Sequence, residues 1–254
     1  FEFPLRGWPG FLILGVPFGL SFSACLTFIA VSWANNEHAT LEVFFGWLYL
    51  QAVLLPMLFI AITGNLFAKE AERANLDALR VSLLTAETVA AGKLMASFRV
   101  AYVMVAMAMI GMAPLIFVNP LWTGDGLRIL AYGSIMLGTC MLTSWSVTAF
   151  CSVVGRRMAT ALVLSFMVTA MHLIGFSMIL FAISESFFRH SFSSERWAGL
   201  FSPYFATAWV VYPQPTQIEY EGIFWIASLA LSLFTVILFV ALSFRSFRTT
   251  YSRD

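Results

Sequence analysis

Residues 222–244 read GIFWIASLALSLFTVILFVALSF, a stretch of 23 residues without a single Asp, Glu, Lys or Arg. An α-helix needs about 20 predominantly apolar residues to cross the hydrocarbon core of a bilayer. Five further charge-free runs are longer than these 23 residues, at 7–36, 43–68, 100–124, 129–155 and 158–184. The chain is therefore predicted to cross a membrane six times.

The composition excludes a soluble fold, because only 11% of the residues are charged whereas soluble domains carry about 25%. A β-barrel is also excluded, because its strands alternate over roughly 10 residues and these runs are apolar on every side. The fold class is thus an all-α membrane protein in which residues 1–254 form one polytopic domain. The net charge of +1 gives no indication of a nucleic-acid partner. Three cysteines within the predicted spans lack metal-ligand spacing and are interpreted as packing residues.

The predicted spans cover about 10–33, 43–66, 97–118, 129–154, 158–183 and 222–244. Lys and Arg collect on the cytoplasmic side of short loops. If the N-terminus is placed inside, eleven of the fourteen basic residues fall on that side. We therefore expect both termini to be cytoplasmic, in a plasma membrane such as the bacterial inner membrane.

One inside segment, residues 67–92, is more than a short connection. Its first part has strong helix formers and no Gly or Pro, and four charges of alternating sign share one face: Glu70, Arg73, Asp77 and Arg80. A second stripe is apolar (Leu76, Leu79 and Leu83) and is interrupted by Glu72. Ser82 or Thr85 would cap a following helix that has Glu87 in its first turn. A solvated linker is the simplest interpretation, but so short a helix is marginal alone, and its apolar stripe favours a partner groove.

The segment Glu70–Lys93 resembles the loop after the second span of ABC-2 type transporter permeases. That loop reads roughly E-x-E-x-G-T-L-x-x-L-x-x-x-P-x-x, then an apolar stretch and G-K. The matching residues are Glu70, Glu72, Leu76, Leu79, Gly92 and Lys93, whereas Ala74-Asn75 replaces Gly-Thr and Leu83 replaces Pro. Six spans and an apolar outer segment before the sixth also match the family, as does Ser202-Pro203-Tyr204, which is similar to its Ser-Pro-aromatic pattern.

The resemblance implies a permease subunit of a six-span, type V ABC exporter. Residues 67–82 would form the coupling helix that docks on a cytoplasmic ATPase, with Glu70, Glu72, Arg73, Leu76, Asp77, Leu79 and Arg80 as the coupling residues. This chain contains no G-x-x-x-x-G-K-[ST] motif, so ATP and Mg²⁺ are expected on that partner, and no cofactor is expected here. A second permease copy or homologue would complete a dimer. The family usually has an amphipathic connecting helix before the first span, so we expect native residues to precede Phe1.

The outside segment 185–221 contains an apolar stretch of about 15 residues, which is too short to span a bilayer and is interrupted by Pro203. We predict a re-entrant or interfacial pair of short helices there.

Polar groups within the predicted spans are the remaining candidates for function. His172 is interpreted first as a neutral histidine bonded to a neighbouring hydroxyl, and second as a haem or metal ligand completed by a dimer. Small and hydroxyl residues favour close helix packing, with Gly15 and Gly19 at GxxxG spacing. The alternative is a weakly polar path for an amphipathic substrate, which would include His172, Thr139, Thr143, Ser144 and Thr169.

Two other classes of protein remain open. A non-transporting membrane subunit would use the 67–92 segment only to scaffold or regulate a larger complex. A membrane enzyme would use His172 or the outer segment, but neither H-E-x-x-H nor G-x-S-x-G occurs in the sequence.

Overall fold

A computed structural model describes residues 8–33, 37–64, 67–68, 85–112, 124–155, 157–175, 178–179, 182–183, 202–203, 206–207 and 218–251. All regular secondary structure in these residues is helical. Six helices are long: α1 (Trp8–Trp33), α2 (Glu37–Thr63), α3 (Ala86–Gly111), α4 (Gly124–Val154), α5 (Met158–Ala170) and α6 (Ile218–Tyr251). A π-helical turn, Met171–Gly175, continues α5.

Six helical stretches in the described residues are long and apolar enough to cross a membrane, the fifth formed by α5 together with its π-turn. This confirms the predicted all-α fold with six spans. Large apolar side chains such as Phe11, Tyr102 and Met167 are exposed on the outer faces of these helices. Such exposure suits a surface that meets lipid, and the chain is an integral membrane protein by the length and composition of its helices.

The fourth helix, α4, lies at the centre of the fold. It packs against α2, α3, α5 and α6, whereas α1 packs against α2 and α3. In the spanning part of α4, 67% of the residues are buried inside the protein, compared with 17% for α6. Small side chains allow this position, since a Cβ atom on Gly133 would clash with Leu48 of α2. Any movement of α4 must therefore be accommodated by most of the bundle.

Close helix approach occurs at other glycines than the GxxxG pair. A Cβ atom on Gly111 of α3 would lie 2.6 Å from Cβ of Ser21 and 2.8 Å from the Phe18 carbonyl oxygen, both on α1. The Cys25 thiol of α1 donates to the Gly111 carbonyl at 3.1 Å. By contrast, no described atom lies within 4 Å of a Cβ added to Gly19, and the three atoms nearest to a Cβ on Gly15 belong to Phe11 of its own helix. The packing function predicted for Gly15 and Gly19 thus belongs to Gly111 and Gly133 within the described residues.

The bundle has two ends, which we name for the segments found there. At the loop end, α2 ends, α3 begins, and the C-terminal parts of α4 and α6 meet. At the far end, the π-turn after α5 meets Ser202, and Tyr132 of α4 packs edge-on against Trp225 of α6, with ring centroids 4.7 Å apart. Gly155 allows the tight turn from α4 to α5, because a Cβ atom there would lie 2.6 Å from Cα of Ala161.

Candidate functional site: the loop anchor

The predicted coupling residues lie outside the described residues. Glu70, Glu72, Arg73, Leu76, Asp77, Leu79 and Arg80 all fall in the interval 69–84. Both ends of that interval are described, at Phe67–Ala68 and from Thr85 onward. The structure therefore shows where the segment leaves and rejoins the bundle.

The segment rejoins the bundle at a capped helix start. Thr85 is the N-cap of α3, and its hydroxyl oxygen accepts a hydrogen bond from the Thr88 backbone N–H at 3.2 Å. Glu87 lies in the first turn, where a negative charge is favourable next to the helix N-terminus. The predicted cap and the predicted run of helix through Gly92 and Lys93 are both confirmed.

The segment leaves the bundle on a serine of α4. The buried Ser152 hydroxyl oxygen accepts hydrogen bonds from two successive backbone N–H groups, that of Phe67 at 2.7 Å and that of Ala68 at 3.3 Å. Backbone N–H groups at the start of a helical turn have no partner within the turn and need an acceptor from elsewhere. Ser152 supplies it from 85 residues away in the sequence.

The Phe67 side chain extends this contact to two more helices. Its ring lies 5.2 Å, centroid to centroid, from the ring of Phe247 on α6. On α3, Lys93 Nζ lies over the Phe67 ring, 5.2 Å from its centroid, within the range of a cation–π interaction. We name Phe67, Ala68, Lys93, Ser152 and Phe247 the loop anchor; each is at most 4% exposed.

An aromatic layer supports the loop anchor from the membrane side. Trp145 of α4 donates its indole N–H to the Ser97 hydroxyl of α3 at 2.9 Å. Its ring also packs edge-on against Phe98, with centroids 5.4 Å apart. The other buried members of this cluster are Ala90, Leu94, Ala149 and Val153. Four segments of the chain therefore meet at the point where the 69–84 interval begins.

The exposed rim of this end carries charge. Arg248 of α6 and Glu87 of α3 approach to 3.8 Å, and both side chains are at least 70% exposed. With Phe244 and Arg245 they line an open cleft of about 330 Å³. Exposed ion pairs contribute little to stability, so the buried anchor, and not this pair, holds α3 and α6 together.

The hydroxyl residues proposed for a substrate path are bonded within α4. Thr139 donates to the Ile135 carbonyl at 2.7 Å, Thr143 to the Thr139 carbonyl at 2.9 Å, and Ser144 to the Cys140 carbonyl at 2.7 Å. Such bonds to the preceding turn satisfy a hydroxyl without help from a neighbouring helix. Hydroxyls bonded within their own helix are expected when they serve helix packing. The substrate path therefore stays a prediction.

His172 and Thr169 lie on the far half of α5. His172 belongs to the π-turn, a feature that often marks functional positions. Its ring lines an open, apolar crevice of about 800 Å³ with Met167, Met171 and Phe239 of α6. The Nε2 atom is buried, and neither it nor the buried Thr169 hydroxyl has a hydrogen-bond partner among the described residues. No group of three metal-ligating side chains occurs within the described ranges.

The far end also has a serine that pairs distant backbone. The Ser202 hydroxyl donates to the carbonyl of Leu173, inside the π-turn, at 2.6 Å. Ser202, Pro203, Ala206 and Thr207 are buried, and the Ala206 N–H bonds to the Ser202 carbonyl as in a helical turn. Most of the predicted re-entrant segment 185–221 lies outside the described residues.

Sequence reasoning did not find Ser152, Phe247 or the function of Phe67. Ser152 is one hydroxyl among many in a charge-free run, and Phe247 is one of 26 phenylalanines. Of the residues around the loop anchor, only Gly92 and Lys93 were singled out from the sequence, because they match the G-K of the permease loop. The chain matches no protein-family model and no curated protein at a significant level.

Proposed function

We propose that this chain is the permease subunit of an ABC transporter, driven by a separate cytoplasmic ATPase that docks on residues 67–82. The observation that carries the proposal is the placement of the two ends of the resembling loop. Phe67, which precedes the segment, and Lys93, its last residue, contact each other on a buried cluster that joins α3, α4 and α6. A loop fixed at both ends to the bundle is suited to transmitting the movement of a bound ATPase.

The absence of a P-loop from the sequence makes a partner ATPase necessary if transport is driven by ATP. Two permeases, identical or related, would enclose the path, with the loop and both termini in the cytoplasm. The cargo would be hydrophobic or amphipathic, because the crevice along α5 is walled by Met, Leu, Ile and Phe side chains. Export is the direction that the resemblance implies.

The test is to purify the tagged chain in mild detergent, identify co-eluting proteins by mass spectrometry and measure ATP hydrolysis. We expect a stoichiometric P-loop ATPase that is lost in the double variant Arg73→Glu/Arg80→Glu. Arg157→Glu is the matched control, because Arg157 is an exposed cation on the α4–α5 turn at the same end. Unchanged co-purification of the ATPase with the double variant would refute the docking assignment.

A non-transporting scaffold or regulatory subunit is the second candidate. The observation that favours it is that Thr139, Thr143 and Ser144 donate their hydroxyls to carbonyls of their own helix. The same purification separates the two candidates, because a scaffold would be recovered with other membrane subunits and without an ATPase whose turnover depends on this chain.

A further inference from the structure

The loop anchor has an asymmetry that suggests a route for movement. Ser152 is on α4, which packs against four other helices, and Phe247 is on α6, which packs against α4 and α3. The Phe67–Ala68 backbone is bonded to the first of these helices and the Phe67 ring contacts the second. The start of the 69–84 interval is thus attached to the centre of the bundle as well as to the end of α2.

We infer that Ser152 is a positioning residue that fixes Phe67 and Ala68, from which the 69–84 loop begins, on α4. Displacement of the loop would pass to α4 through two hydrogen bonds and to α6 through the Phe67 ring. The anchoring does not depend on the proposed function. The transmission of ATP-driven movement through the anchor rests on the proposed function.

The geometry favours a specific use of this hydroxyl. Other buried serines of α4 donate their hydroxyls to carbonyls of the preceding turn. Ser144 donates to the Cys140 carbonyl and Ser146 to the Thr143 carbonyl. Ser152 instead accepts two N–H groups from another segment, and a hydroxyl oxygen has two lone pairs with which to do so. Removing it leaves two buried donors without a partner, which is more costly than losing an ordinary bond.

The experiment compares Ser152→Ala with Ser144→Ala, a matched control on the same helix that is equally buried and bonds only within α4. Amide hydrogen exchange of the peptide covering residues 65–70 is measured by mass spectrometry on the full chain in nanodiscs. We expect the Phe67 and Ala68 amides to exchange roughly tenfold faster in Ser152→Ala, with no change in Ser144→Ala. Ser152→Thr retains the acceptor and should restore slow exchange.

Unchanged exchange in Ser152→Ala, or the same acceleration in Ser144→Ala, would overturn the anchoring. If Ser152→Ala fails to insert, Ser152→Cys takes its place, because a thiol of similar size is a weak acceptor and should also accelerate exchange.

A second measurement tests the transmission. The ATPase should still co-purify with Ser152→Ala, because the docking residues are intact, while its ATP turnover no longer responds to this chain. A turnover response equal to that of the wild type would overturn the transmission even if the exchange result holds. Failure to recover any ATPase would instead refute the proposed function, and the exchange measurement would still decide the anchoring.

Discussion

At each end of the bundle, a serine hydroxyl forms hydrogen bonds with backbone groups from a distant part of the chain, but one serine accepts these bonds and the other donates. At the loop end, the Ser152 hydroxyl accepts from two backbone N–H groups, those of Phe67 and Ala68. At the far end, the Ser202 hydroxyl donates to one carbonyl where α5 has become a π-turn. Irregular backbone inside a membrane protein has no water to bond with, so distant side chains must pair it.

The difference lies in what surrounds each serine. Ser152 is part of an anchor with a phenylalanine pair and a lysine over one ring, so three helices are held with the loop. Ser202 meets the π-turn, which contains His172 and follows Thr169; the His172 Nε2 atom and the Thr169 hydroxyl are buried and have no hydrogen-bond partner among the described residues. Among the described residues, the loop end has one such atom, the Thr148 hydroxyl, whereas the far half of the bundle has four, on Thr169, His172, Trp225 and Ser228. The far end therefore retains more unsatisfied polar groups, which functional sites often keep.

Of the substitutions that test the difference between the two ends, Phe67→Ala should lower the free energy of unfolding most. The ring is 4% exposed and contacts both Phe247 and Lys93, so its loss removes the shared centre of the anchor. We expect a loss of about 3–5 kcal/mol in the free energy of unfolding. The measurement is the melting temperature in nanodiscs.

The matched control for this change is Phe234→Ala on α6, whose ring is 60% exposed on an outer face. Truncating the buried Phe67 ring leaves a cavity among protein side chains. Truncating Phe234 removes a ring that is mostly outside the protein core, so the control should change the melting temperature little. Equal losses in the two variants would show that the anchor contributes no more than a lipid-facing side chain.

The two serines should differ in a second, smaller way. Ser152→Ala leaves two N–H donors unpaired and should cost about 1–3 kcal/mol, whereas Ser202→Ala frees one carbonyl and should cost about 1 kcal/mol. Carbonyl oxygens tolerate incomplete pairing better than N–H groups do. Melting temperatures of both variants and of the double variant test the difference. The two losses should add, since the serines lie at opposite ends and share no partner. A greater loss in Ser202→Ala would reverse the ranking of the two ends.

The sequence was sufficient to predict six long apolar helices and insufficient to predict the contacts between them. Six charge-free runs predict six helices because bilayer thickness sets their length, and Thr85 is recognisable as a cap because its partner Thr88 is three residues away. Ser152 and Phe67 are 85 residues apart, and their contact depends on the rotation of α4 about its own axis. The GxxxG pair shows the same limit, because spacing identifies a face of α1 but not the helix that it meets.

The smallest effect concerns α3, which runs from one end to the other and has a glycine near each. Gly92 at the loop end is exposed and has no described atom within 4 Å of an added Cβ, whereas Gly111 at the far end is closed in by Ser21 and Phe18. Gly92→Ala should raise the free energy of unfolding by about 0.4–1 kcal/mol, because alanine restricts the unfolded chain and fits the helix. Gly111→Ala, as the matched control, should destabilise the protein, because α1 must move away.

If the resemblance of Gly92-Lys93 to the permease loop reflects a requirement for glycine at the ATPase interface, Gly92→Ala will stabilise the chain and still weaken ATPase co-purification. Stabilisation with undiminished co-purification would show instead that Gly92 is free to vary and that the function of the pair lies in Lys93 and its contact with Phe67.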